Sequence, residues 1–346
     1  MLFFFFFCSL FLAKNKEYAN NVFPYSQFPQ EKELKGEVIE LDTALFRYPF
    51  RIRIEGDKAI VLDLHGSDYY GHLFQYPSFR YLSSFGRRGD SPLEMLSMEN
   101  FRLHNHTLWT LDANKSELTR LDFSSSGDSL LREETVALDE DILRPLDFAI
   151  YNDTTFVIPD YSGESRFLKV DCKGKLIEKI GTIPTTNKKA LQEARPALAQ
   201  AWRSFLDYNS HNSVLATVTQ LGEVVEIYNL KDSTHVIRVG EYDEPEFKVS
   251  DGYGIPTGIM GFSDVQVTDD AIYAVFHGTS FKDIARQSGR LSDGGKYIYV
   301  FSLKGEPLCK YVLDHYIYGI WVDEVTKTIM ATDVNNDQPI LKFSFG

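Results

Sequence analysis

Seven polar residues stand near the starts of successive strand-forming segments: Arg51, Asn100, Arg144, Asp147, Arg203, Asp264 and Tyr318. Three of them are arginines, whose planar guanidinium forks grip anionic ligands in bidentate fashion. Asp147, Asp264 and Asn100 offer the oxygen atoms that calcium-assisted hydrolysis would need. Each residue taken alone also suits a buried ion pair with no chemistry attached. No single stretch carries a Gly-x-Ser-x-Gly elbow, a His-Glu-x-x-His pair or a phosphate-binding glycine loop. Any active site must therefore be assembled from several distant segments.

Three local motifs invite a chemical reading and have a structural one beside it. His104-Asn105-His106 offers two imidazoles, but no third or fourth metal ligand lies nearby, and the triplet fits a hairpin turn. Asp333-Val334-Asn335-Asn336-Asp337 matches the first half of a calcium loop. Its sixth position is Gln338 instead of glycine and its twelfth is Ser344 instead of glutamate, which leaves a weak calcium site or a polar turn. Arg88-Gly89-Asp90 matches an integrin-binding tripeptide, and Gly89 with Pro92 equally shapes a corner.

These residues are spaced by a repeat. An alternating apolar strand, a tight polar turn, a second strand and a Gly- or Asp-marked corner recur six times. The copy Arg51-Ile52-Arg53-Ile54-Glu55-Gly56-Asp57-Lys58-Ala59-Ile60-Val61-Leu62-Asp63 shows it most plainly. A strand-rich repeat of roughly 50 residues predicts an all-β, six-bladed β-propeller, in which the polar residues named above ring a central channel. Blade one is expected at about Arg47–Phe85, and blades two to five start near Met98, Leu146, Ala201 and Asp264. The last blade supplies only three strands, Tyr318–Val322, Thr328–Thr332 and Ile340–Phe345, which would leave an open edge. The orphan strand Gly36–Asp42 is placed there and closes the ring.

Two segments interrupt the period between blades. Ala190, Leu191, Ala194, Ala197, Leu198, Ala201 and Trp202 fall at helical spacing, with Pro196 splitting the stretch or starting a second helix. This is a short helical insertion between blades three and four. Glu241–Met260, rich in glycine and acidic residues, is long enough to carry function. A third, Ser280–Gly295, sits inside blade five.

Residues 1–13 read as a signal-like apolar segment, too short to span a bilayer as a helix, with Cys8 as a lipid-bearing candidate. Residues 14–35 read as a tether and 36–346 as the propeller. Net charge is −13, which opposes nucleic-acid binding. Cys8, Cys172 and Cys309 form no Cys-x-x-Cys pair, so zinc-ribbon and thioredoxin-type chemistry are excluded.

The corner Phe85-Gly86…Gly89…Pro92…Glu94, the run Val267-Thr268-Asp269…Ile272-Tyr273-Ala274…Gly278 and the strand Tyr297-Ile298-Tyr299-Val300-Phe301…Gly305 resemble the TolB-like six-bladed propeller lipoproteins of Bacteroides-type bacteria. The resemblance implies an exported protein of the periplasm or outer membrane and assigns no activity. The expected function is a cell-envelope binding module, monomeric, for a protein, peptide or glycan partner. Neither catalysis nor a cofactor is expected. The competing expectation is a propeller hydrolase or lactonase-like enzyme that uses the channel carboxylates, with calcium as its metal.

Overall fold

In the computed structural model, which describes residues 20–346 except 43–45, 288 and 290, six sheets are arranged so that the first strands of neighbouring sheets touch in cyclic order. Those first strands are Pro49–Glu55, Met98–His104, Ala149–Asn152, Ser204–Asn209, Phe262–Val267 and Ile320–Asp323. Each is followed by antiparallel partners stepping outward. The expected six-bladed propeller is therefore the observed fold, with blades one to three spanning Pro49–Arg87, Met98–Ala137 and Ala149–Ile180.

Alternation along an inner strand has an unusual meaning here. Ile52 and Ile54 are buried against neighbouring blades, yet Arg51 and Arg53 are buried as well. A strand sends alternate side chains to opposite faces, and the second face of an inner strand looks into the channel. The polar face is thus hidden and must satisfy itself.

The ring closes as expected. Ile320–Asp323, Thr328–Thr332 and Ile340–Ser344 are completed by Glu37–Ile39, which pairs antiparallel with the last strand in the register Ile39↔Ile340 and Glu37↔Lys342. The tether expectation needs correction. Within 14–35, Val22–Pro24 pairs parallel with Thr234–Val239 at the rim of blade four, and Gln30–Leu34 pairs parallel with Pro307–Ile317 at the rim of blade five. The N-terminal stretch is a belt that pairs in turn with the outer strands of three successive blades. Its strands are short, Val22–Pro24 having three residues and Gln30–Leu34 exposing Glu31, Lys32 and Glu33 with only Leu34 buried, so they carry little alternation to reveal them. The apolar segment 1–13 and its Cys8 lie outside the described residues.

The insertion between blades three and four is two short helices, Lys188–Glu193 and Arg195–Ala201, with Pro196 in the first turn of the second. Leu198, Ala199 and Trp202 bury against Val224, Ile237 and Val239 of blade four. The segment 241–260 forms a hairpin, Phe247–Ser250 with Tyr253–Pro256. It reaches the second helix through the Gly254 N–H, which donates to Gln200 Oε1 at 3.1 Å.

A second device repeats with the blades. The residue ending or following each second strand is Asp63, Asp112, Asp160, Gln220, His277 or Asp333. Asp63 accepts from the Arg47 and Tyr48 N–H groups, Asp112 from Leu96 and Ser97, and Asp160 from Ser162 and Ser165. These buried carboxylates fasten loops whose backbone donors would otherwise be orphaned.

Candidate functional site

The structure sorts the seven predicted channel residues into three groups. Arg51, Asn100, Asp147 and Asp264 meet inside the channel, all nearly fully buried. Tyr318 and Arg203 sit at its periphery. Tyr318 packs 5.3 Å from the Phe50 ring and donates its hydroxyl to Asp293 Oδ1 at 2.8 Å. Arg203 is only partly buried and faces Tyr161. Arg144 is exposed, with a left-handed backbone (φ 45°), and takes no part in the channel.

Four channel residues escaped the sequence reading: Arg53, Arg102, Asp207 and Gln266. The signal was present. Three of them stand two places beyond a residue already named, Arg51, Asn100 or Asp264, and two places along a strand return to the same face. Asp207, two places beyond Phe205, had no polar residue to announce it.

Within the channel the charges spend themselves on one another. Arg53 grips Asp264 with both nitrogens at 3.0 Å and donates to the Ile52 and Ile320 carbonyls. Arg102 Nη2 meets Asp147 Oδ1 and the Leu206 carbonyl, each at 2.7 Å, and Asn100 Nδ2 donates to the same carboxylate at 2.7 Å. Burial pushes the Asp147 carboxyl above its usual range despite Arg102. Burial acts on Asp264 in the same sense, but Arg51 and Arg53 together outweigh it and hold that carboxyl low. Arg51 lies between the Phe50 and Phe205 rings, 4.3 Å from each, and burial brings its guanidinium down to about 10.

The carboxylates also stitch one blade to the next. Asp147 accepts from the Leu206 N–H at 2.9 Å, Asp207 from Val267 at 2.8 Å and Asp264 from Ile320 at 2.9 Å. Gln266 accepts from Val322 at 2.8 Å and returns a bond to its carbonyl. These bridges span 59, 60, 56 and 56 residues, which is the blade repeat itself. Three guanidinium groups, Arg51, Arg53 and Arg102, face three carboxylates, Asp147, Asp207 and Asp264. Arg53 and Arg102 are engaged in this network, while Arg51 reaches Asp264 only at 3.4 Å and keeps Nε and Nη2 buried without a hydrogen-bond partner.

The open space lies where the inner strands end. There a basin of about 550 Å³ is lined by the last residues and first hairpins of blades two to six, and a second hollow of about 260 Å³ joins it to blade one. Asp207 is on its floor, pushed up by burial, with Oδ2 committed to Val267. Tyr208 and Trp321 supply ring surface. Asp269 holds Asn209 and His211, at 2.9 and 3.2 Å, while Asp270 is exposed beside it. His104 reaches Asp153 of blade three at 2.7 Å.

The other motifs resolve as structure. Asn105 and His106 both take left-handed backbone in the hairpin turn, and His106 turns toward Glu55 of blade one, so the two imidazoles serve different neighbours. Asp333 accepts from Asn335 and Asn336, the loop-fastening role of the repeat. Among the described residues no group of three acidic, His or Cys side chains is arranged to hold a metal ion. Arg88 packs over the Tyr70 ring at 3.7 Å and donates to the Leu64 carbonyl, so that tripeptide faces inward at its first residue.

The sequence pattern of a family described as TolB-like 6-blade propeller-like matches residues 27–325. A Bacteroides fragilis protein named as an exported one superposes with a TM-score of 0.57 at 12% identity, covering 93% of this chain and 98% of its own. An auxiliary nutrient binding protein of Bacteroides ovatus gives a TM-score of 0.54 at 10% identity, with 87% of this chain and 70% of its own covered. At such identities the likeness is one of fold. No curated protein matches the sequence.

Proposed function

Since this chain belongs to the TolB-like six-blade propeller family, we propose that it is an exported binding module which takes a glycan or peptide in the basin at the hairpin end of its channel. The observation that carries this reading is the division of labour along the channel. Most mid-channel charges are engaged in blade-to-blade bonds, whereas the basin of about 550 Å³ is open and presents acceptors beside Trp321. A concave site with a few polar groups and aromatic surface suits a polar ligand whose apolar face stacks on a ring. The role requires no catalytic step. Export is supported by the fold likeness to a Bacteroides protein named as exported, and Cys8 would carry the lipid that holds the chain at the envelope.

Tryptophan fluorescence gives a direct test. Trp109 and Trp202 are core residues, leaving Trp321 as the tryptophan that reports on the basin. Binding of a glycan or peptide hit from an array should shift the emission, and Trp321→Ala should weaken binding about tenfold or more. Hits that bind Trp321→Ala and Asp207→Asn as tightly as the native chain would move the site elsewhere.

A further inference from the structure

The belt encloses a second cavity, on the rim between blades four and five. It measures about 330 Å³. Its walls come from segments distant in sequence. Tyr25 and Phe28 belong to the connection between the two belt strands, Glu241 and Tyr242 to the crossing from blade four to blade five, and Tyr299 to a blade-five strand. Glu223 completes it from the turn before the Val224–Asn229 strand.

The chemistry of this cavity is one-sided. Tyr25 stands at 75° to Phe28 and at 88° to Tyr299, with ring centroids 5.6 and 6.3 Å away, while Phe28 and Tyr299 pack together at 4.7 Å and 44°, so Tyr25 stands steeply against a packed pair. Glu223 is only 4% exposed and accepts from the Tyr242 N–H at Oε2, 3.0 Å away. Burial pushes the Glu223 carboxyl up, Glu241 adds to this as a like charge, and among the described residues Glu241 has no ion pair of its own. The one ammonium on the lining, Lys310, is already paired with Glu31 at 3.1 Å. The Tyr25 hydroxyl is buried beside the Glu223 carboxyl, and burial together with that carboxyl pushes the phenol up. A buried carboxylate beside a second one costs energy, which either a proton or an entering positive group relieves.

We propose that this cavity is a binding site for a small organic cation, a quaternary or protonated ammonium group held against the Tyr25, Phe28 and Tyr299 rings and neutralised by Glu223 and Glu241. Ring faces attract ammonium groups through their quadrupole, and two or three such walls with a carboxylate form the cage that favours methylated ammonium over water. Belt and blades contribute jointly, so the occupant also pins the belt to the rim.

Calorimetric titration of the full chain with choline, beside its neutral isostere 3,3-dimethylbutan-1-ol and beside calcium chloride, tests this. Choline should bind saturably, with the isostere and calcium at least tenfold weaker. Phe28→Ala should cost about tenfold in choline affinity, the effect of losing one cage wall. Should Phe28→Ala fold poorly by circular dichroism, the rim variant Glu241→Gln serves instead and should weaken choline several-fold. Equal binding of the isostere, tighter binding of calcium, no choline binding, or unchanged affinity in these variants would each overturn the assignment.

Discussion

His277 occupies the position where four of the six blades place an aspartate that fastens a loop. Its ring is nearly buried, stands edge-on to Tyr318 at 5.3 Å, and feels Asp293 as its nearest charge. Burial brings its pKa down from the usual 6.5 to about 4. Above pH 6.5 the imidazole is neutral in both folded and unfolded chains and contributes nothing to pH dependence. Between pH 6.5 and 4 the unfolded chain takes up a proton that the folded chain refuses, so stability falls as pH drops through that window. The loss should reach about 3 kcal/mol, measured by urea unfolding at stepped pH, and His277→Gln should flatten it. A native chain with pH-independent stability in that range would show that the ring is solvated or paired. A separate window belongs to Glu226. Burial alone would raise its carboxyl, but Arg166, 2.7 Å away, and His235 hold it at about 2, so the stability it supplies is lost only in stronger acid.

At the scale of elements, Gly174 shows what a turn residue owes to local chemistry and what to its neighbours. Its sequence context, Asp171-Cys172-Lys173-Gly174, predicts a turn with positive φ, and the observed value is 81°. The context does not predict that a Cβ there would stand 1.9 Å from the Ala137 carbonyl oxygen of blade two. The Gly174 carbonyl meanwhile accepts from the Asp139 N–H at 2.8 Å, joining blades two and three. Gly174→Ala therefore suffers twice, from backbone strain and from the clash, and should lower stability by about 2 to 4 kcal/mol in denaturant melts. A loss under about 1 kcal/mol, the strain alone, would mean that the two blades can part here at little cost.

The molecule as a whole depends on its N-terminal stretch. Glu37–Ile39 provides the fourth strand of the last blade, while Val22–Pro24 and Gln30–Leu34 are additions to blades that already have four. Two truncations separate these roles. A chain starting at residue 36 should melt in one transition at a somewhat lower temperature, since it loses the buried Tyr25 and Leu34 contacts and keeps the closure. A chain starting at residue 43 exposes the edge of Ile340–Ser344 and should melt far lower, or aggregate during gel filtration. Equal melting temperatures for the two would refute closure by Glu37–Ile39.

The sequence by itself determined the blade count, the closing strand, the helical insertion and the hairpin turns. Each is written in local periodicity and turn chemistry, which act over a few residues. It also marked the strands whose polar faces fill the channel. Only the tertiary structure decided what those faces do. Arg51, Asp147 and Asp264 look alike as ligand-binding residues in a linear chain, and their partners, Arg53, Arg102 and the N–H groups of Leu206 and Ile320, arrive from the next blade or across the ring. The belt was hidden for a related reason. Its strands pair with rims two hundred residues and more away, at Thr234–Val239 and Pro307–Ile317, and such short, mostly exposed edge strands bury too little to leave a pattern. Charge compensation and edge pairing are properties of neighbours in space, so residues that looked like a binding set became the stitching, and open space at the basin and the belt became the candidate sites.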